Sequence, residues 1–342
     1  MTYKALLVAR CGGPEVLQVV EYPLRPPTRR EVRLNVLAAA VSRPDVTVRR
    51  GEALYSGTWL GQKFPFTPGY AVIGDVDAVG PDVREVAVGE RVGVLTVTGG
   101  YTEVLYWRAD RLIPVPPALD PALAAPLILN YLVAYQTMHR VAKARAGEKA
   151  LIIGASGGIG TALLQLGQLA GLEMHAIASR SKHAILTKYG AKPIDYRTED
   201  FVALIREDEP DGLDVILDGM MRPEMMRGAL SLLRRGGRMV SFGEPASRQE
   251  LLCILGLVLR TKLKPNGKAL SLYGTSTYFL FDRKPYFEDW ATLFQWLEQG
   301  KIQPVIAARF PILAAAQANA LLESGQVTGN VVLISTNGIS ST

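Results

Sequence analysis

Gly154-Ala155-Ser156-Gly157-Gly158-Ile159-Gly160 lies directly between a strand-like run, Lys149–Gly154, and a stretch of helical periodicity. Glycines in such a turn let the backbone bend sharply and come close to a pyrophosphate. The helix that follows offers unpaired N–H groups and the positive end of its dipole to the same anion. It sets Ile159, Leu163, Leu166 and Ala170 on one face, and Gly171 stands where a C-terminal cap belongs. This order predicts a dinucleotide-binding unit, with Ala155, Ser156, Gly157, Gly158 and Ile159 as its pyrophosphate cradle.

Further runs of strand character follow at Glu173–Ala178, Pro193–Tyr196, Asp214–Asp218, Arg238–Phe242 and Ala269–Tyr273, several separated by helical stretches. The succession is βαβ and implies a parallel, doubly wound sheet. The end of its second strand selects between dinucleotides. NAD binders place Asp or Glu there to accept from the ribose hydroxyl. This chain has Ala178-Ser179-Arg180-Ser181-Lys182, with two cations, two hydroxyls and no acid. Those groups suit a 2′-phosphate, each charge-assisted hydrogen bond contributing about 1.5–3 kcal/mol. The expected cofactor is NADP(H).

Upstream, residues 1–122 read as short strands broken by Gly and Pro, among them Tyr3–Val8, Glu31–Val36, Val72–Val79 and Arg91–Leu95. Such spacing predicts a small, mostly antiparallel β domain. Downstream, an amphipathic segment Tyr286–Gln299 ends at Gly300, and a helix to Glu323 and a last strand, Asn330–Ile334, follow. The expected organisation is a β domain at 1–122, completed by 300–342, around a dinucleotide-binding domain at 123–299.

The 342 residues, 48% hydrophobic and 20% charged, suit two domains of about 150 residues. With two cysteines, Cys11 and Cys253, and three histidines, the chain has too few ligands for a His/Cys metal site, so none is expected. The net charge of +6 comes from short basic pairs such as Arg29-Arg30 and Arg234-Arg235, without interleaved aromatics. That pattern describes a solvated surface with some charge for an anionic small molecule, and argues against nucleic acid as the main partner. The longest apolar run, Leu251–Leu259, has nine residues and is too short to span a bilayer. With Arg260 and Lys262 after it, the run is read as a buried helix, lining a cleft or a subunit contact, ahead of a membrane-surface helix. Met1-Thr2-Tyr3-Lys4-Ala5 leads into a strand without a signal-peptide core, so the expected location is the cytoplasm, with no membrane partner.

Nearly the whole chain resembles the medium-chain dehydrogenase/reductase superfamily, and within it the zinc-independent quinone oxidoreductase branch. The resemblance rests on Lys4-Ala5-Leu6, Pro14-Glu15-Val16-Leu17, Asp45…Arg50-Gly51 and Pro65-Phe66-Thr67-Pro68-Gly69-Tyr70. It continues through Val88-Gly89-Glu90-Arg91-Val92, the glycine cradle and Gly236-Gly237-Arg238. It implies a Rossmann domain beside a GroES-like one, and a homodimer formed by pairing sheets edge to edge. The family's NADPH-dependent members hold the 2′-phosphate with groups that match Ser179, Lys182 and Tyr196; Arg180 joins them by its charge and place, and Phe242 and Gly243 are added as cofactor contacts. The superfamily's zinc-bearing alcohol dehydrogenases carry Cys and His where this chain has Ser42 and Tyr70. Quinone oxidoreductases commonly have Asn at position 42 and often Thr at position 133, here Ser42 and Val133, and the segment after Gly51 is longer than theirs.

The resemblance implies hydride transfer to a quinone or an α,β-unsaturated carbonyl. Such a reaction needs orientation of the acceptor and hydrogen-bond donors for the charge arriving on its oxygen. The candidates are Tyr55, Asn130 and Ser42, with Tyr55 or water as proton source. Each has a plainer reading: Tyr55 as a loop aromatic, Asn130 as a backbone-bonding residue near the domain junction. Asp45 reads as a turn or cap residue before Val46–Arg50, ahead of a role in orienting a pocket residue. Two other functions stand beside the main one. One is an enoyl-thioester reductase; the other is an NADPH-binding protein with a sensor, structural or RNA-binding role.

Overall fold

The structure, a computed structural model, describes residues 1–335 apart from positions 54, 57, 59–60, 264–266 and 276–281. The chain divides into two units, Met1–Leu129 with Trp290–Thr342, and Asn130–Asp289. The fold is α/β, with an antiparallel GroES-like sheet in the first unit and a Rossmann-like parallel sheet in the second.

In the first unit β1 (Thr2–Val8) and β2 (Leu17–Pro23) form a hairpin. The main sheet uses β3 (Glu31–Val41), β4 (Ala71–Val79), β5 (Arg91–Leu95), β6 (Val104–Arg108) and β7 (Ile113–Pro114). It is completed by β14 (Ile306–Pro311) and β15 (Asn330–Ile334), so the C-terminal stretch returns to pair with β3. The order is β14-β15-β3-β4-β5-β7, with β6 also on β3. β3 shows why this sheet forms. Val32, Leu34 and Val36 are buried while Arg33 and Asn35 alternate outward, the period of two that a half-buried strand requires. Helix α1 (Arg43–Arg50) leaves the end of β3.

The sequence reading set the domain limits at 122/123 and 299/300, whereas the units meet at 129/130 and 289/290. Trp290 accounts for part of the difference. It is fully buried and donates its indole N–H to the Ile128 carbonyl at 3.1 Å, so residues on both sides of the expected limits pack within the first unit.

The second unit carries β8 (Lys149–Ile153), β9 (Glu173–Ile177), β10 (Lys192–Ile194), β11 (Leu213–Asp218), β12 (Leu233–Ser241) and β13 (Ala269–Leu272), all parallel. Their order is β10-β9-β8-β11-β12-β13. Every residue of β11 is buried, as expected of a strand covered on both faces. The chain therefore reverses direction across the sheet between β8 and β11, and ligands of such sheets bind at the C-terminal ends beside that point. The helix after the glycine turn spans Gly158–Leu169, and Gly171 takes the left-handed conformation (φ 69°) just past it.

The apolar run at 251–259 lies in a helix, Arg248–Leu263, that is only partly buried within this chain. Ile254 and Leu257 face the core. Leu252, Leu255, Leu259 and Leu263 are 47–73% exposed, because the helix is apolar on two opposite faces and only one is covered within this chain.

Candidate functional site

The cradle is shaped by two glycines with different reasons to be there. Gly154 has φ 80°, a conformation that side chains disfavour. A Cβ on Gly160 would lie 2.3 Å from the Gly154 carbonyl oxygen and 2.5 Å from the Ala155 carbonyl carbon, so the helix start closes directly onto the turn. Gly157 is unlike both. A Cβ there would meet nothing nearer than 3.9 Å, so no packing within the chain demands glycine at this exposed position. Open space over a helix N-terminus is what an approaching pyrophosphate needs, and these residues fit a dinucleotide. Ala155 is buried and donates its N–H to the Ile177 carbonyl at 3.2 Å, joining the turn to the end of β9.

Beyond β9, Ser179 Oγ and Ser181 Oγ lie 3.4 Å apart, and Arg180 is exposed, 3.9 Å from Glu199. Burial, followed by the nearby Arg197 charge, holds the Lys182 ammonium below its ordinary proton affinity. Arg197 lies against Tyr196, its Nε donating to the phenol oxygen at 3.4 Å and its guanidinium 5.7 Å from the ring centre. Asp195 ties the two loops together. Its carboxylate accepts from the Arg197 and Arg180 backbone N–H groups, with Arg197 at 3.1 Å, and these bonds hold its carboxyl below the usual range. Asp195 is thus spent on the backbone of Arg180 and Arg197, and Lys182 lies near the Arg197 charge. Glu199 accepts from the Asp195 N–H at 2.6 Å and faces Arg180. Arg197 was missed in the sequence reading; its signal was the cation directly after Tyr196.

Across the sheet's switch point, Asp218 at the end of β11 is fully buried. Ser241 Oγ donates to it at 2.9 Å, as do the Met220 and Met221 N–H groups at 2.9 and 3.2 Å. Burial nevertheless raises its pKa. The Phe242 N–H donates to the Asp218 carbonyl at 2.9 Å, and a Cβ on Gly243 would sit 2.6 Å from the Gly219 carbonyl oxygen. Phe242 and Gly243 are thereby fixed at the same C-terminal edge as the cradle. Asn130 is buried in a widened helical turn, Leu127–Tyr131, at the start of this unit.

In the first unit Ser42 precedes α1 and is buried. Its hydroxyl donates to Asp45 Oδ2 at 2.6 Å and its N–H to the same oxygen at 2.8 Å. Asp45 Oδ1 accepts from the Gly69 N–H at 3.0 Å. Burial pushes the Asp45 carboxyl up to about 6, against the hydrogen bonds from Ser42 and Gly69. The Ser42 hydroxyl is thus engaged with the Asp45 carboxylate. Tyr55 is 39% exposed and its carbonyl accepts from the Thr58 hydroxyl at 2.6 Å. Among the described residues one group of three metal-capable side chains occurs, His175, Asp208 and Glu209. Lys192 lies 2.5 Å from Asp208 and Lys149 pairs with Glu209, so those carboxylates are already neutralised.

Two families match the chain: the alcohol dehydrogenase GroES-like domain over residues 28–117, and zinc-binding dehydrogenase over residues 189–333. Mouse quinone oxidoreductase is 30% identical over 340 residues, covering 97% of each chain. Among solved structures, a probable oxidoreductase from Mycobacterium abscessus superposes with a TM-score of 0.82 at 26% identity, over 98% of this chain and 99% of that one. The JamJ enoyl reductase gives 0.86 at 24% identity, over 97% and 99%, and shows the shared fold.

Proposed function

The chain belongs to the quinone oxidoreductase-like branch of the medium-chain dehydrogenase/reductase superfamily, and from that premise we propose that it transfers hydride from NADPH to a quinone or an α,β-unsaturated carbonyl. The observation that carries the cofactor choice is the cationic corner beyond β9, where Arg180, Lys182 and Arg197 gather while Asp195 is occupied by backbone. A 2′-phosphate dianion is favoured there and a bare ribose gains little. When bound, the nicotinamide supplies the hydride. The cradle N–H groups hold the pyrophosphate, and Ser179, Arg180, Lys182, Tyr196 and Arg197 hold the 2′-phosphate. Tyr55 and Asn130 orient the acceptor and donate hydrogen bonds to its oxygen as charge develops. Zinc is not required on this reading, since Ser42 and Tyr70 stand where the superfamily's zinc enzymes carry ligands. A homodimer belongs to the same proposal, supported by β13 as an edge strand of the parallel sheet.

Initial rates of NADPH and NADH oxidation by chelator-treated protein test the reading. The panel holds ortho- and para-quinones, simple enones and a long-chain enoyl thioester. Turnover with NADPH on a quinone or enone is the expected result, and a thioester as best substrate would replace it with an enoyl-thioester reductase. Arg180→Ala with Lys182→Ala should raise the KM for NADPH about tenfold or more, and that for NADH far less. Equal weakening of both overturns the cofactor assignment. NADPH binding without turnover on any acceptor overturns the enzyme in favour of a binding protein.

A further inference from the structure

Gly89, Glu90 and Arg91 take no part in the chemistry above, yet they line an open groove of about 560 Å³ that lies wholly within the first unit. That volume is in the range of small-molecule sites. One side is Pro114-Val115-Pro116-Pro117, where each proline fixes its own backbone and the Val115 N–H donates to the Arg91 carbonyl at 3.1 Å. The Arg91 guanidinium braces the same segment, donating to the Pro117 and Leu119 carbonyls at 2.7 and 3.2 Å. A second side is one face of the helix Lys284–Glu298, where Ala291, Phe294, Gln295 and Glu298 follow at i, i+3, i+4 and i+7. Trp290, fully buried on that helix, ties it to the Ile128 carbonyl. Both sides are thus held before any ligand arrives, which lowers the entropy that binding must give up.

The charges of the lining do not cancel. Glu90 and Glu298 are exposed at the groove, and among the described residues neither carboxylate has a cationic partner. Arg91 does not meet them, because Asp75 engages its guanidinium, with Nε 2.9 Å from Oδ1 and Nη2 3.3 Å from Oδ2. The groove therefore presents proline, alanine and phenylalanine surface together with two unmet negative charges. We propose that it binds a small organic cation with an apolar body, an arylalkylammonium in kind, whose body lies against the prolines and whose ammonium is held by Glu90 and Glu298. A neutral molecule of the same shape forgoes both carboxylates, and an anion is repelled by them. The glycine cradle and the cationic loops belong to the second unit, so this inference stands apart from the reading of the reaction.

The test is calorimetric titration of the full chain with phenethylammonium, phenethyl alcohol and phenylacetate, at low and at high salt. Phenethylammonium should bind saturably and about tenfold more tightly than the alcohol, and phenylacetate should not bind. High salt should narrow the gap between ammonium and alcohol, since both carboxylates are exposed. Glu90→Gln and Glu298→Gln should each weaken the ammonium about threefold, and about tenfold when combined, while leaving the alcohol unchanged. Ala291→Trp should abolish binding of both by filling the groove, with Tm and NADPH affinity as in wild type, because position 291 is exposed. Equal affinity for ammonium and alcohol overturns the choice of a cation. Absence of saturable ammonium binding to wild type overturns the site, as does ammonium binding that the paired glutamine variant leaves unchanged. That paired variant decides the matter by itself if Ala291→Trp lowers Tm.

Discussion

At the scale of single residues, glycines of one turn serve two masters, and the chain separates them. Gly160 is required by the protein, since a Cβ would stand 2.3 Å from the Gly154 carbonyl oxygen. Gly157 has room for a methyl group, so no packing within the chain demands glycine there. Gly160→Ala should therefore cost about 1–3 kcal/mol in stability, the usual penalty of overpacking, with a matching fall in Tm. Gly157→Ala should leave Tm within about a degree and weaken NADPH binding severalfold, because the new methyl occupies the phosphate's approach. Thermal melts and fluorescence titrations of both variants decide this, and an unaltered NADPH affinity in Gly157→Ala would place the phosphate elsewhere. The seven-residue pattern was legible in the sequence. Which glycine belongs to the protein and which to the ligand was not, because that depends on atoms brought in by folding. Ser42 repeats the lesson: its type marked it as a donor, and only the fold brings the buried Asp45 carboxylate within 2.6 Å of its hydroxyl.

At the scale of elements, the loops after β9 and β10 act as one device. Asp195 accepts from the backbone of both, so one buried carboxylate fixes the backbone of two cations, Arg180 and Arg197. Arg197→Ala should raise the KM for NADPH about tenfold and leave that for NADH nearly unchanged. Asp195→Ala should reduce the preference for NADPH as well, through loosened loops, although it removes a negative charge that simple electrostatics would count as a gain. A rise in NADPH affinity in Asp195→Ala would show that charge outweighs positioning here. The parallel strands were readable because strands buried on both faces are near-continuous apolar runs, as β11 is. Two helical features were not. The widened turns Leu127–Tyr131 and Gln136–Val141 lie in a stretch where nearly every residue is buried, so no polar face marks the change of period. The helix Arg248–Leu263 has apolar residues on opposite faces, and composition alone could not tell which one the core takes.

At the scale of the whole molecule, the α/β class with one antiparallel and one parallel sheet followed from the order of strand and helix signals. The limits between the units did not, because Trp290 and Ile128 pair across long sequence separation and no local signal announces such a contact. The same non-locality makes Asp45 a reporter on the stability of the folded chain. Its carboxyl is raised from 3.8 to about 6, so the folded state holds a proton more tightly than the unfolded chain does. Wild type therefore gains stability as pH falls from above 6 toward 4, and carries the ionised carboxylate as a cost above that window. Asp218 shifts in the same direction, but it is present in both proteins when wild type is compared with Asp45→Asn, and its effect cancels. Glu31 has the opposite sign: Arg25 holds its carboxyl down to about 2, so its contribution is present above about 4.5 and is lost only below that. Between pH 7 and pH 4.5 the Tm difference should move in favour of wild type by a few degrees, equivalent to about 2 kcal/mol. The absolute offset between the two proteins includes hydrogen bonds that asparagine cannot reproduce, so the pH dependence of the difference is the quantity to read. A difference that stays constant over this range would mean that Asp45 titrates at its ordinary value.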